Sequence, residues 1–222
     1  MRALRAEFNA ASGREEGTMR YLMMNKPVGY ITAMRDDVRP CVADLLSDAD
    51  KAGLFHVGRL DKDTSGLLLF TDDGAYNAKI LNPKSNIKKT YRFTAMGELT
   101  DAVIEHLCSG VVAGEGGRRF ASCASSAVRL AVMRAGECPE LLPNIPREKI
   151  LATRLCDRII SIGEITVCEG RWHQVRRMLK AVGLTVTALE RVSIGALALD
   201  GNLPYGEYRT LTKEEADLAL VN

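Results

Sequence analysis

The stretch from Gly58 to Thr71 reads GRLDKDTSGLLLFT, and it constrains the fold more than any other part of the chain. A polar turn runs directly into four apolar residues, Leu67 to Phe70. A short apolar run bounded by turn residues has the length of an interior strand. Such a strand is rigid and can hold the preceding loop in place. Asp61 in that loop is then either a positioned carboxylate or one of the solvated acids that populate turns generally. Gly58 and Gly66 flank it and supply backbone geometry that a bulkier residue would strain.

A second segment, EGRWHQVRRMLK from Glu169 to Lys180, predicts a helix over 172–182. At roughly 100° per residue, Val175, Met178, Leu179 and Val182 share an apolar face. His173, Arg176 and Lys180 lie on another side, with Arg176 nearest the apolar edge. Strands are predicted at 21–25, 67–71, 89–96, 126–133, 158–168 and 184–194. Helices are predicted at 42–46, 75–81, 101–107 (capped by Thr100) and after Thr212. Residues 136–149 hold three prolines and read as an irregular loop or insertion. Strands and helices mix without strict βαβ alternation. The predicted class is therefore α+β, with a central mixed, mostly antiparallel sheet and flanking helices. Residues 1–18 read as a flexible arm ahead of a domain spanning 19–222.

The formal net charge is only +2, so bulk charge does not point to nucleic acid. Its distribution is more informative. Between 79 and 92 there are five bases and no acid, and between 171 and 180 four bases, a histidine and no acid. Two such segments describe either a charged cleft facing an anion or two solvated faces. The first reading makes Lys88, Lys89, Arg171, His173, Arg177 and Lys180 candidate phosphate contacts. The six cysteines form no C-x-x-C pair, and with three histidines they give no zinc spacing. No apolar run approaches a membrane span, and the N-terminus does not read as a secretory signal. Reduced thiols and a cytoplasmic, monomeric protein with no membrane association are the expectation.

The two segments, together with Lys89-Thr90-Tyr91, the opening YLMMNKPVG (from Tyr21), the late RVSIG (from Arg191) and GEYRTLT (from Gly206), resemble the RsuA/RluB/RluE/RluF family of pseudouridine synthases. The resemblance covers nearly everything from Arg20 to Glu215. It implies a pseudouridine synthase fold with a cleft across the sheet, and isomerisation of a uridine of ribosomal RNA, free or in a ribosome assembly intermediate. It implies no cofactor and no metal. Asp61 matches the family's catalytic aspartate, acting as nucleophile or as base toward a ribose proton. Tyr91 matches the tyrosine that stacks on the flipped uracil and can assist proton removal from carbon 5. Arg176 matches the basic residue that pairs with the aspartate. Arg59 would enter the RNA where the base has left. Many members carry a small RNA-binding domain ahead of the position of Tyr21, which eighteen residues cannot encode.

Two other readings compete. Asp61-Lys62-Asp63-Thr64 matches the D-x-D-x-T pattern of metal-dependent haloacid-dehalogenase-like phosphatases. That pattern needs an apolar strand running into the first Asp, whereas here the apolar run follows. A catalytically silent ribosome assembly factor is the other, against which stand Asp61, Tyr91 and Arg176.

Overall fold

The computed structural model describes residues 19–115, 118–142 and 145–222. The arm expected at 1–18 lies outside the described residues. In chain order the elements are β1 (Tyr21–Lys26), α1 (Asp48–Lys51), β2 (Phe55–Val57), β3 (Ser65–Thr71), α2 (Gly74–Leu81), β4 (Lys89–Met96) and α3 (Asp101–Ser109). Next come β5 (Val111–Glu115), β6 (Arg118–Ser122), β7 (Ser126–Arg134), α4 (Arg147–Leu151), β8 (Ile159–Val167) and α5 (Gln174–Ala181). The last are β9 (Thr185–Ile194), β10 (Leu197–Ala198), β11 (Tyr208–Thr210) and α6 (Lys213–Leu218).

The main sheet runs β11-β1-β3-β9-β4-β8-β7, with β2 beside β3 and β10 beside β9. Every pairing is antiparallel except β3 with β9, which is parallel and confined to Ser65–Glu190 and Gly66–Arg191. This is the mixed, mostly antiparallel sheet that the sequence predicts. All residues of β1 and β3 are buried, because alternate side chains enter different cores. Tyr21, Met23, Leu67 and Leu69 pack with α2 and α6 on one face. Leu22, Met24, Leu68 and Phe70 pack with Val42, Leu46 and Leu60 on the other. A third core lies under β4, β8 and β9, where Phe93, Ile165 and Leu189 meet Val175, Met178 and Leu179 of α5. The apolar face read from α5's sequence is therefore the buried one.

Local signals hold where they were strong. Thr100 caps α3 by accepting from Val103 N–H, and Thr212 with Glu215 forms a capping box on α6. The hairpin β5–β6 is absent from the sequence reading, although the Gly116-Gly117 pair between two short runs is a hairpin signal. The described residues of the stretch 136–149 include a buried anchor at Leu142. Leu142 and Ile150 form a small core with Ala135 and Ile160, α4 begins inside it, and residues 143–144 lie outside the described residues.

Where β3 crosses β9 the backbones nearly touch. Gly66 has φ +100°, and a Cβ there would sit 2.3 Å from the Arg191 carbonyl oxygen. Only glycine allows this approach, which brings the loop before β3 against β9.

Candidate active site

Residues 58–64 link β2 to β3 and carry Asp61, and the opening segment of the chain grips them from below. Lys26 is fully buried, and its Nζ donates to the carbonyls of Pro27 (3.0 Å), Asp61 (3.1 Å) and Thr64 (2.9 Å). An ammonium has three N–H groups, and three carbonyls take them. Burial pulls this lysine's pKa down to about 8, while the charges of Asp63 and Asp61 oppose the drop. It therefore stays protonated at neutral pH. The Thr32 hydroxyl donates to Leu60 O (2.7 Å) and accepts from Leu60 N–H (3.0 Å), and Gly29 N–H donates to Lys62 O (2.8 Å). The block YLMMNKPVG, to which the sequence reading assigned no role, thus pins the backbone around Asp61. A lysine followed by proline at a strand end carries no local mark of such a task.

The Asp61 side chain is about one third exposed, and its Oδ1 lies 3.6 Å from His173 Nε2. His173 adopts the left-handed conformation (φ +49°) at the N-terminus of α5, with its ring stacked on Trp172 at 4.2 Å between centroids. The cleft occupies about 1630 Å³, and Asp61, Tyr91, Lys89, Arg176 and Arg191 are among its lining residues. Tyr91 is half-buried on β4. Opposite it, β9 carries an extra residue, so that Tyr91 pairs with Arg191 directly after Thr90 pairs with Ser193. A bulge at this point re-aims side chains toward the cleft.

Several sequence-derived assignments change. Arg176 pairs with Asp63, not Asp61: its Nη2 lies 3.1 Å from Asp63 Oδ2 and donates to Asp63 O at 2.9 Å. The helix edge does deliver Arg176 to the loop, but Asp63 stands nearer the incoming guanidinium. The side chain beside Asp61 is instead the His173 imidazole. Arg177 is no surface phosphate contact. It is buried, with its guanidinium 4.5 Å from the Phe120 ring centroid and 5.6 Å from that of Trp172, aromatic surfaces on which arginine stacks well. Lys89 is also buried, with Nζ on Ile87 O at 3.1 Å. It belongs to the cleft wall rather than to an outer basic patch, because strand alternation turns it inward with Tyr91. Arg59, Lys88, Arg171 and Lys180 are exposed as expected. Acid-free segments are not unpaired in space, however. Arg171 meets Glu169 at 2.5 Å and Arg92 meets Glu164 of β8 at 2.8 Å.

Gln174 was also missed. It is buried, donates to Ser122 Oγ on β6 (2.8 Å) and accepts from Arg171 N–H (2.9 Å). It ties the turn at 170–173 to the hairpin. The phosphatase pattern finds no matching architecture. No strand runs into Asp61, Asp72 pairs with Arg20 at 3.0 Å, and Asp73 caps α2 while accepting from Tyr21 OH. Among the described residues no group of three or more His, Cys, Asp or Glu side chains is placed to hold a metal ion. No helix among them is long and apolar enough to cross a membrane. The six cysteines are free thiols.

A cleft lined by the loop-borne Asp61 and Asp63 and by the strand tyrosine Tyr91 is in keeping with what the motifs imply. The family model for RNA pseudouridylate synthase matches residues 20–181. The chain belongs to this family. Ribosomal small subunit pseudouridine synthase A of Salmonella typhimurium is 35% identical over 198 residues, covering 88% of this chain and 72% of that protein. An uncharacterized RNA pseudouridine synthase of Bacillus subtilis, YtzG, is 36% identical over 199 residues, covering 89% and 72%. A crystal structure of a pseudouridylate synthase superposes with a TM-score of 0.71 at 30% identity, covering 92% of this chain and 74% of that one. As a pseudouridine synthase, the protein is an isomerase: the bond from ribose to uracil nitrogen 1 is exchanged for one to carbon 5.

Proposed function

We propose that this synthase converts a uridine of ribosomal RNA to pseudouridine in the cytoplasm, with Asp61 as the catalytic carboxylate. The observation that carries the reading is the loop-borne Asp61 opening into the cleft lined by Tyr91, its backbone clamped by the buried Lys26. A preorganised carboxylate acts on a ribose without reorganising at the moment of reaction. Tyr91 offers the flipped base an aromatic face, and removing that base from its stack costs a few kcal/mol. His173 sets its imidazole against Asp61, and Arg176 steadies the loop through Asp63. Arg59, Lys88, Arg171 and Lys180 are exposed cations suited to phosphate contact. The names of the relatives at about this level of identity put small-subunit ribosomal RNA first among targets.

The test is pseudouridine mapping of ribosomal RNA from cells with the gene, without it, and complemented by Asp61→Asn. One uridine should lose its modification in the deletion and regain it only with the wild-type gene. An unchanged ribosomal map in the deletion strain would overturn the reading.

A further inference from the structure

Arg191 and Lys89 present a problem in charge. Arg191 is almost completely buried at 2% exposure. Its Nε donates to Leu67 O at 2.8 Å, yet its Nη2 is buried with no hydrogen-bond partner. Lys89 is 8% exposed, and its one protein acceptor is Ile87 O. Among the described residues the ion pairs of the cleft are Arg171–Glu169, His173–Asp61 and Arg176–Asp63, and neither Arg191 nor Lys89 belongs to one. The two cations repel each other: burial, then the charge of Arg191, draws the Lys89 pKa down to about 8. Buried, unpaired charges are costly, and groups that persist in that state are built for something that arrives later. Both side chains line the same cleft as Asp61 and Tyr91, and the β9 bulge sets Arg191 directly across from Tyr91.

The geometry points to Arg191, seconded by Lys89, as the cationic cradle for the detached uracil in its anionic form. The inference rests on the reading that a uridine is cleaved in this cleft. Breaking the C1′–N1 bond leaves its electron pair on the base, with negative charge spread over N1 and the two carbonyl oxygens. Forming C1′–C5 returns the pair to the ribose carbon. The C5 proton then leaves and N1 gains one, so the sequence is balanced without an oxidant or reductant. During the interval between the two bonds the base is an anion. A guanidinium with a free N–H edge and a nearby ammonium stabilise that state more than neutral uridine, which is how a site accelerates a reaction rather than merely binding its substrate. They also hold the loose base while it turns.

The test separates this cradle from the identity of the RNA. Calorimetric titration of the free protein compares uracil, neutral at pH 7, with 5-nitrouracil, which is ionised there. Wild type should bind the anion about tenfold or more tightly. Arg191→Met should bring the two affinities close together, Arg191→Lys should restore part of the preference, and Lys89→Met should lower it. Single-turnover rates on ribosomal RNA should follow the same order, while RNA affinity stays near wild type. If Arg191→Met does not fold, Arg191→Lys and Lys89→Met carry the comparison. Equal binding of the two bases by wild type, or an unchanged preference in Lys89→Met and every folded Arg191 variant, would overturn the cradle. An enzyme that prefers 5-nitrouracil but leaves ribosomal RNA unmodified would instead refute only the RNA assignment.

Discussion

Replacing Lys26 by Met should separate stability from catalysis. The methionine chain fills nearly the same space without opening a cavity, and it removes three hydrogen bonds. Asp61 O keeps another donor, Thr64 N–H at 3.1 Å, so the carbonyls of Pro27 and Thr64 bear most of the loss. An orphaned buried acceptor costs about 1–3 kcal/mol, giving roughly 2–6 kcal/mol for the pair. The substitution also relieves the burial of an ammonium whose pKa lies near 8 instead of 10.5. That relief is at most about 3 kcal/mol, and less because water in the adjoining cleft screens the charge. Net destabilisation should therefore be about 1–4 kcal/mol, readable as a lower urea midpoint with an unchanged slope. Activity should fall much further. Without the three bonds the Asp61 loop drifts, and a displacement near 1 Å costs on the order of 100-fold in rate. Tritium release from RNA labelled at uridine carbon 5, under single-turnover conditions at 15 °C where the variant is folded, measures the chemical step. Filter binding measures RNA affinity, which should stay within a few-fold because Lys26 has no exposed surface. A folded Lys26→Met enzyme with a wild-type rate would show that the clamp does not position Asp61.

Other expectations are more compact. Asp61→Asn should abolish tritium release with folding intact, because an amide is nearly isosteric with the carboxylate yet neither attacks nor takes a ribose proton; Asp63→Asn, which weakens the Arg176 contact and removes one negative charge acting on Lys26, should keep activity within about tenfold of wild type. Gly66→Ala should fail to fold or lose several kcal/mol of stability in urea titration, since its Cβ would strike the Arg191 backbone at 2.3 Å; a stable, active alanine variant would mean that β3 and β9 can part. Arg177→Leu should lower stability by about 1–3 kcal/mol through lost stacking on Phe120 and Trp172 while leaving the salt dependence of RNA binding unchanged, whereas alanine at both Lys84 and Lys88 should flatten that dependence without touching stability. The folded-state pKa values of Lys26 and Lys89 lie near 8, below the ordinary 10.5. Between these values the unfolded chain binds protons that the fold has released. Stability should therefore rise with pH through this window and be lost as pH falls through 8. Burial raises the pKa of the Tyr21 and Tyr76 phenols, so their ionisation in the unfolded chain reverses the trend above about 10. Over the same rise from 8, activity should drop as Lys26 loses its third N–H; urea midpoints and single-turnover rates at pH 7.5 and 9.5 check both signs.

Much of the architecture was legible in the sequence because its signals are local. Leu67 to Phe70 has the length of an interior strand, Val175, Met178 and Leu179 share one helical face, and Thr100 and Thr212 announce helix starts through bonds to residues three positions away. The motifs likewise supplied Asp61, Tyr91 and Arg176, which the structure places among the lining residues of one cleft. The partners of the charges were not legible, because pairing is settled by separations of tens to hundreds of residues. Arg176 reaches Asp63 rather than Asp61 across 113 positions, and Lys26 grips Asp61 O across 35. Arg177 and Lys89 look like surface bases in an acid-free run, yet helix phase and strand alternation turn them inward. Sequence determined which side chains stand at each element's ends and faces. Only the tertiary structure decided which charges met a partner and which, like Arg191, were left waiting in the cleft, because desolvation and ion pairing depend on where distant segments come together.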